Sequence, residues 1–458
     1  MAEPRVIIVG AGPAGVRCAQ ALVAVGIRPT VIDEGQRDGG QIYRRQPDNF
    51  TRSYATLYGT AAEQAESLHH AFDALRPQIE YLPETLAWNI SERVLYTVRA
   101  ARQRTLPFDA LILCTGATDR LMPVKGWNLA GAYSLGGAQV ALKSQGCAIG
   151  RQVAFMGTGA LLYLVAAQYV KAGANVAAVL DTSSWKLRVA ALPKLLAIPS
   201  VLYNGVALTA ALRRAGVPIH TGIQPLQIEG SAQAGVSSLS FKDARGQIRE
   251  IRCDAVAMGY HLRPETQLAD LARCEFHFDT EVEQWLPRVD ADGRSSVMGV
   301  YLAGDGARIL GANAAEQSGK LAAMAVLRDF GYKTSPTTIA QLQASLAKLR
   351  RFGQGLAQAF PWPAQHAAQL PDDAIVCRCE SISAGELRNV VQRTGAQEAN
   401  RAKAFSRVGM GRCQGRYCGH AAAEIIAQAA RVPLQQVGQL RGQAPVKPLP
   451  ISIVEEAQ

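Results

Sequence analysis

Short apolar runs alternate with helical-period stretches along most of this chain, and their order predicts an α/β fold. Arg5-Val-Ile-Ile-Val9 is a short strand, followed by an Ala-rich helical segment to about Val25 and a second strand, Pro29–Asp33. A helical pattern covers 54–75, and 79–104 alternates as a β-meander with strands at Leu86–Ile90 and Val94–Arg99. Phe108–Cys114 is a buried strand. Residues 153–156 open a second strand–helix–strand unit that closes at Asn175–Asp181. The run from 183 to 216 is apolar with scattered bases and two prolines. It reads either as a core helix pair or as a surface that faces a partner. Strands fill 217–254 and end in Cys253–Tyr260. A strand and an Ala-rich helix follow at 299–320, then a helix at 338–359 and a break at Phe360-Pro-Trp-Pro. A helical stretch with Gly-rich corners and an extended tail, Pro445–Pro450, complete the chain.

The first strand runs into Gly10-Ala-Gly12-Pro13-Ala14-Gly15. Gly10 permits the tight turn, Gly12 lets the backbone approach a pyrophosphate, and Gly15 lets helix and strand pack closely. The helix N-terminus faces the phosphates. Asp33 lies 23 residues after Gly10, where a carboxylate reaches the ribose hydroxyls, with Glu34 as the alternative. Strand, glycine loop, helix and acid together predict dinucleotide binding. Gly40-Gln41 resembles the Gly-Gly turn that skirts the flavin in two-dinucleotide-binding flavoproteins. Thr115-Gly116 resembles the crossover at which glutathione-reductase-like chains leave the FAD domain. Gly304-Asp305-Gly306 and Gly311, ahead of the Ala-rich helix, resemble the segment in which an aspartate bonds the ribityl chain and a helix dipole faces the ring.

The second unit, Gly157-Thr-Gly159, is a damaged copy. Leu162 stands where the third glycine belongs and should push helix and strand apart. The residue 23 positions after Gly157 is Leu180, with Asp181 adjacent, and no Arg cluster follows to meet a 2′-phosphate. The fold of a nicotinamide domain is expected here, but NAD(P) binding is doubtful and NADP is the less favoured form.

Four of the nine cysteines fall within 42 residues, as Cys377-Arg-Cys379 and Cys413-Gln-Gly-Arg-Tyr-Cys418. Four convergent thiolates suit a [2Fe–2S] cluster, and a four-cysteine zinc site is the competing reading. The other five (Cys18, Cys114, Cys147, Cys253, Cys274) read as reduced core residues. His69, His70 and His220 read as structural or surface groups, and His420, two residues after Cys418, is a candidate neighbour of the cluster. No C-x-x-C, G-x-S-x-G or H-E-x-x-H is present, so disulfide-reductase, serine-hydrolase and zincin chemistry find no support. No residue stands out as a general base.

The 458 residues carry a net charge of +11, but the bases are scattered and no basic–aromatic run suggests a nucleic-acid face. No stretch of 18 apolar residues predicts a membrane span, and no secretory signal precedes the first strand. The pattern assigns 1–120 and 259–330 to the two parts of a flavin domain and 121–258 to a second Rossmann domain. Residues 331–372 form a helical linker, and 373–458 hold the iron–sulfur module and tail.

The cysteine pattern, the flavin fingerprint and Gly-Asp-Gly together resemble the α subunits of the opine oxidase, hydroxyproline dehydrogenase and hydrogen cyanide synthase family. That resemblance implies a glutathione-reductase-like two-dinucleotide-binding flavoprotein with a small helical module like bacterioferritin-associated ferredoxin. It implies FAD and a [2Fe–2S] cluster held by Cys377, Cys379, Cys413 and Cys418. The expected partners are an FAD-containing β subunit that oxidises the amine and a small ferredoxin-like γ subunit. Some members place FMN at the α–β interface and hold a different adenine nucleotide in the α subunit, which leaves open the nucleotide at Gly10–Gly15. The expected location is cytoplasmic, peripheral at the inner membrane through the complex. The expected role is the electron-transferring subunit of a dye-linked amino-acid or opine dehydrogenase. A stand-alone NAD(P)H-dependent reductase is the alternative, and a redox-sensing scaffold is a third reading.

Overall fold

A computed structural model of the chain describes residues 3–49 and 52–455; the last three residues of the expected tail lie outside that range. The chain begins with β1 (Val6–Val9), α1 (Pro13–Val23), β2 (Thr30–Ile32), α2 (Ala62–Leu75), β3 (Glu80–Leu82) and β4 (Ala110–Leu113). A second body follows with β5 (Ala132–Ser134), β6 (Gln152–Thr158), α3 (Ala160–Lys171), β7 (Asn175–Asp181), α4 (Trp185–Leu195), α5 (Pro199–Arg214), β8 (Ile219–Thr221) and β9 (Ala255–Tyr260). The chain then returns to the first body with β10 (Val300–Leu302) and α6 (Ala312–Asp329). A long helix, α7 (Pro336–Ala359), leads to the C-terminal module with α8 (Ala384–Thr394), α9 (Ala399–Ser406) and α10 (Gly419–Ala430).

Both sheets are parallel, in the orders β10-β4-β1-β2-β3 and β8-β7-β6-β9-β5. This is the glutathione-reductase-like architecture of two Rossmann-type domains, followed by the small helical module. All four residues of β1 and of β4 are buried, as strands covered on both faces must be. Val6, Ile8, Ala19, Leu22 and Phe72 share one core between the first sheet and its helices. The two crossovers pair with one another as antiparallel strands, Ala117–Asp119 with Leu262–Pro264. The expected meander is present as Leu86–Ser91, Val94–Arg99 and Arg102–Pro107. Its two turns, Glu92-Arg93 and Ala100-Ala101, take the left-handed conformation that two-residue hairpins demand. Val454–Glu455 of the tail adds a parallel edge strand to it.

Three expectations need correction. The helical stretch 54–75 is broken at Gly59, whose positive φ ends a first short helix at Tyr58. Cys147 is exposed, whereas Cys18, Cys114, Cys253 and Cys274 are buried as expected. The stretch 331–372 is more than a spacer, because α7 packs on both α4 and α6.

Small residues set the closest approach in the first domain. A Cβ on Gly319 of α6 would lie 2.1 Å from the carbonyl oxygen of Ala14 on α1. One turn away on each helix the pair is clasped by Arg17 and Glu316 at 2.7 Å. We expect Gly319→Ala to destabilise the chain by about 1–3 kcal/mol through overpacking. Gly205→Ala, on α5 with no atom within 4 Å of the added carbon, should instead stabilise it by about 0.5–1 kcal/mol. Denaturant titration of both variants checks this, and equal signs would contradict it.

Candidate functional site

The expected flavin residues gather at the C-terminal edge of the first sheet. Gly12 caps α1 and Pro13 opens it, where a missing N–H costs nothing. Gly10 has φ +110°, and a Cβ there would meet the Cys114 carbonyl oxygen at 2.2 Å; one on Gly15 would meet the Gly10 oxygen at 1.8 Å. Only glycine fits either position. A Cβ on Gly40 would lie 3.0 Å from Gly12 Cα, one on Gly304 would lie 2.9 Å from Ala14 Cβ, and one on Gly306 would lie 2.6 Å from Thr115 Oγ1. Four separate segments therefore close on one rim. Gly311, with φ +88°, caps α6, so a second helix N-terminus joins that of α1.

The acids are already partly engaged. Asp33 accepts the Ala11 and Gly35 amides, each at 2.6 Å. Burial pushes its carboxyl up, and those two amides oppose the shift. Asp305 accepts the Leu310 and Gly311 amides at 2.9 and 3.1 Å, both on Oδ1, and burial raises its carboxyl as well. Glu34 and Gln41 turn away from the rim. Glu34 is exposed and paired with Lys447 of the tail, and Gln41 is exposed and accepts from Arg44 at 2.7 Å. A backbone cradle that admits only glycine, with two helix N-termini facing it, fits a dinucleotide pyrophosphate.

The second site differs from its expectation. Leu162 is fully buried in the core between α3 and its sheet, as a packing residue. A register shift in β7 lets Val153 pair with Val176 but Ala154 with Ala178, so Gly157 pairs with Asp181. The acid thus takes the place that counting assigned to Leu180, which lies in the core. Asp181 is completely buried and satisfied by the chain itself. It accepts Thr158 Oγ1 at 2.8 Å, Tyr163 OH at 2.9 Å and the Ser183 amide at 2.7 Å, and pairs with Arg188 at 2.6 Å. The expected linker closes over it. Ser183 Oγ donates to the Ala359 carbonyl at 2.5 Å, His261 Nε2 bonds the Phe360 carbonyl, and the Arg188 guanidinium lies 5.0 Å from the Phe360 ring. Trp362 is buried, donates to Glu424 at 2.9 Å and lies under Arg120 at 3.8 Å. The acid at the end of β7 is thus engaged by this chain's own side chains.

The four cysteines converge. Cys377 lies beside Cys418, Cys413 beside Cys418, and Cys379 beside Cys413, close enough to shift one another's ionisation. These contacts run mostly between the two motifs rather than within the C-x-C. The Cys418 thiol lowers Cys377 and Cys413, while Cys418 is pushed well above its usual range by the same two neighbours and by burial. Main-chain amides of Gly409 and Glu380 face Cys377, those of Gly415 and Tyr417 face Cys413, and that of Cys413 faces Cys379. Gly409 and Gly415 take left-handed turns against Leu440, and a Cβ on Gly411 would strike Cys379 Cβ at 2.2 Å. Among the described residues no group of three or more His, Cys, Asp or Glu side chains is placed to hold a single metal ion. Four thiols with amides aimed at their sulfurs fit an iron–sulfur cluster, whose potential such amides tune. His420 is half-buried, edge-on to Trp362 with ring centroids 6.2 Å apart.

Sequence reading missed the link between the two centres. Glu265 brackets the crossover: its amide donates to the Gly116 carbonyl at 2.9 Å and its carbonyl accepts Thr115 Oγ1 at 2.6 Å. Its carboxylate pairs with Arg416 at 2.7 Å, and Arg416 also donates to the Cys413 carbonyl at 3.3 Å. Burial raises the Glu265 carboxyl, but Arg416 and Arg263 outweigh it and hold the group below its usual range. No local signal marks this pair, because 151 residues separate its members.

The pyridine nucleotide-disulphide oxidoreductase family matches residues 4–326, and the BFD-like [2Fe–2S] binding domain matches residues 375–428. An opine oxidase subunit of Agrobacterium tumefaciens (strain Ach5) is 36% identical over 97% of this chain and 90% of that protein. Hydrogen cyanide synthase subunit HcnB of Pseudomonas aeruginosa is 28% identical over 98% of this chain and 97% of its own length. The crystal structure of L-proline dehydrogenase from P. horikoshii superposes with a TM-score of 0.70 at 18% identity, over 98% of this chain and 79% of that one, a likeness of fold. Fold and site thus define a two-dinucleotide-binding flavoprotein with an FAD-binding region and a C-terminal [2Fe–2S] domain, an FAD-dependent oxidoreductase. Within that class the chain belongs to the family of these opine oxidase subunits.

The His261 ring is buried against Gly159, and burial lowers its pKa to about 4, with nearby Arg120 lowering it further and the bond to Phe360 opposing the shift. A histidine depressed in the folded state contributes stability that is full above its unfolded value near 6.5 and is lost as pH falls toward 4. From pH 7 to pH 5 the native chain should lose up to about 2 kcal/mol that His261→Gln does not lose. Denaturation at the two pH values measures the difference, and parallel losses in both proteins would contradict it.

Proposed function

We propose that this chain is the electron-transferring α subunit of a hetero-oligomeric dye-linked dehydrogenase, and that an amino acid or opine is oxidised in a separate FAD-containing β subunit. The observation that carries this reading is the filled second site. Asp181, Tyr163, Arg188, His261 and Phe360 engage one another at the edge where NAD(P)H would bind its ribose. The family relationship supports a donor of another kind, since relatives are named as subunits of opine oxidase and hydrogen cyanide synthase. When bound, FAD accepts an electron pair and the cluster takes single electrons. In this reading Gly10–Gly15, Gly40, Asp33, Asp305 and the N-termini of α1 and α6 hold and orient the dinucleotide. Thr115 and Gly116 form the rim nearest the cluster. Glu265 and Arg416 fix the cluster loop against that rim. Cys377, Cys379, Cys413 and Cys418 hold the iron.

Anaerobic addition of NADH or NADPH to the purified chain should leave its flavin absorbance unchanged, whereas dithionite should bleach it. Rapid bleaching by stoichiometric nicotinamide would overturn the proposal in favour of a self-sufficient reductase. In the assembled complex, Cys413→Ser should keep the flavin content, lose the cluster, and slow dye reduction by at least about tenfold, equal to about 1.4 kcal/mol of barrier. Unimpaired turnover would remove the cluster from the electron path.

A further inference from the structure

The connection from β7 to β8 is a pair of helices, α4 and α5, that hides almost nothing. Only Ala191 and Leu195 of α4 and Leu212 of α5 are buried. A surface helix ordinarily turns an apolar stripe inward; here the apolar side chains face out. Trp185 is 68% exposed and Tyr203 72%, with Leu196 and Val206 also open to solvent. Among the described residues, eight of the sixteen exposed large hydrophobics lie between Trp185 and Val206. A patch this concentrated marks a docking face.

Charge identifies what docks. Helices α4, α5 and α7, of which α7 packs on α4, contain no Asp or Glu. They carry eight bases, of which Arg188 is committed to Asp181; Lys186, Lys194, Arg213, Arg214, Lys348, Arg350 and Arg351 remain. No acid occurs anywhere from 182 to 228. The centre of a protein–protein interface is depleted in lysine, yet Lys186 stands between exposed Trp185 and Leu187. Exposed Trp and Tyr, aliphatic side chains and lysines without acids are the composition of helices that lie in a bilayer interface. No helix among the described residues is long and apolar enough to cross a membrane, so the face would rest on the surface.

We propose that α4 and α5 dock this chain on a bilayer rich in anionic phospholipid. Trp185, Leu196, Tyr203 and Val206 enter the boundary between headgroups and acyl chains, and the bases meet lipid phosphates. The contact belongs to this chain's own helices and needs neither cofactor nor partner subunit, so it stands or falls apart from the electron-transfer reading.

The test is co-sedimentation of the full, cofactor-loaded chain with vesicles of phosphatidylcholine alone or mixed equally with phosphatidylglycerol. The chain should pellet with the mixed vesicles and stay in solution with phosphatidylcholine alone. Trp185→Ser with Tyr203→Ser, and separately Lys186→Glu with Lys194→Glu, should keep flavin and cluster absorbance and reduce pelleting to background. Failure of the native chain to pellet, equal pelleting with both vesicles, or pelleting that survives both variants would overturn the proposal. So would a solution dimer that Trp185→Ser with Tyr203→Ser abolishes, which assigns the face to a second copy. Vesicle release on adding the amine-oxidising subunit would assign it to that subunit instead.

Discussion

One buried ion pair, Glu265–Arg416, joins the two halves of the chemistry. The side chains are 12% and 8% exposed, so neither charge can be left without the other. Breaking a buried pair by removing one partner typically costs about 3–5 kcal/mol. The pair grips at both ends. Glu265 holds Thr115 and Gly116 with its backbone groups, and Arg416 holds the Cys413 and Val446 carbonyls with its guanidinium. The rim of the flavin cradle and the loop of the cluster are thereby tied together, with Gln267 adding a bond to the Gln414 carbonyl at 2.8 Å. Cofactors held on separate bodies need such a tie if electrons are to cross between them at a constant distance.

The same economy shapes the second Rossmann domain. It keeps the parallel sheet, the Gly157 turn and even the acid at the end of β7, and that acid is fully buried. Asp181 has become the centre of a buried network with Thr158, Tyr163, Ser183 and Arg188. The segment after α7 lies over that network and delivers Trp362 to the C-terminal module, where Glu424 receives it. Through Trp362, Arg120 and Glu424 the second Rossmann domain anchors the module that carries the cluster.

Much of this could be read from the residues in order, because it rests on local constraints. Gly10 and Gly15 are dictated by backbone approaches that no Cβ survives, and the four cysteines by ligand spacing. What escaped reading depends on contacts distant in sequence or on exposure. Counting 23 residues from Gly157 reached Leu180 because a one-residue register shift is invisible in the sequence. Glu34 and Gln41 stand at the motif's positions, and the structure pairs them with Lys447 and Arg44. Phe360-Pro-Trp-Pro looked like a spacer because its partners, His261, Arg120 and Glu424, lie in other segments. The run from 183 to 216 is helical as one alternative held, but its apolar residues face outward, and composition alone cannot tell an inward stripe from an outward one.

The central claim is that electrons pass from the flavin cradle to the cysteine cluster inside this one chain. The most direct measurement mixes the intact complex anaerobically with its amine substrate and follows the paramagnetic signal of the reduced cluster against flavin absorbance. The account predicts that the cluster signal rises within the time of one turnover. A cluster that stays oxidised while dye is reduced at the full rate would contradict it.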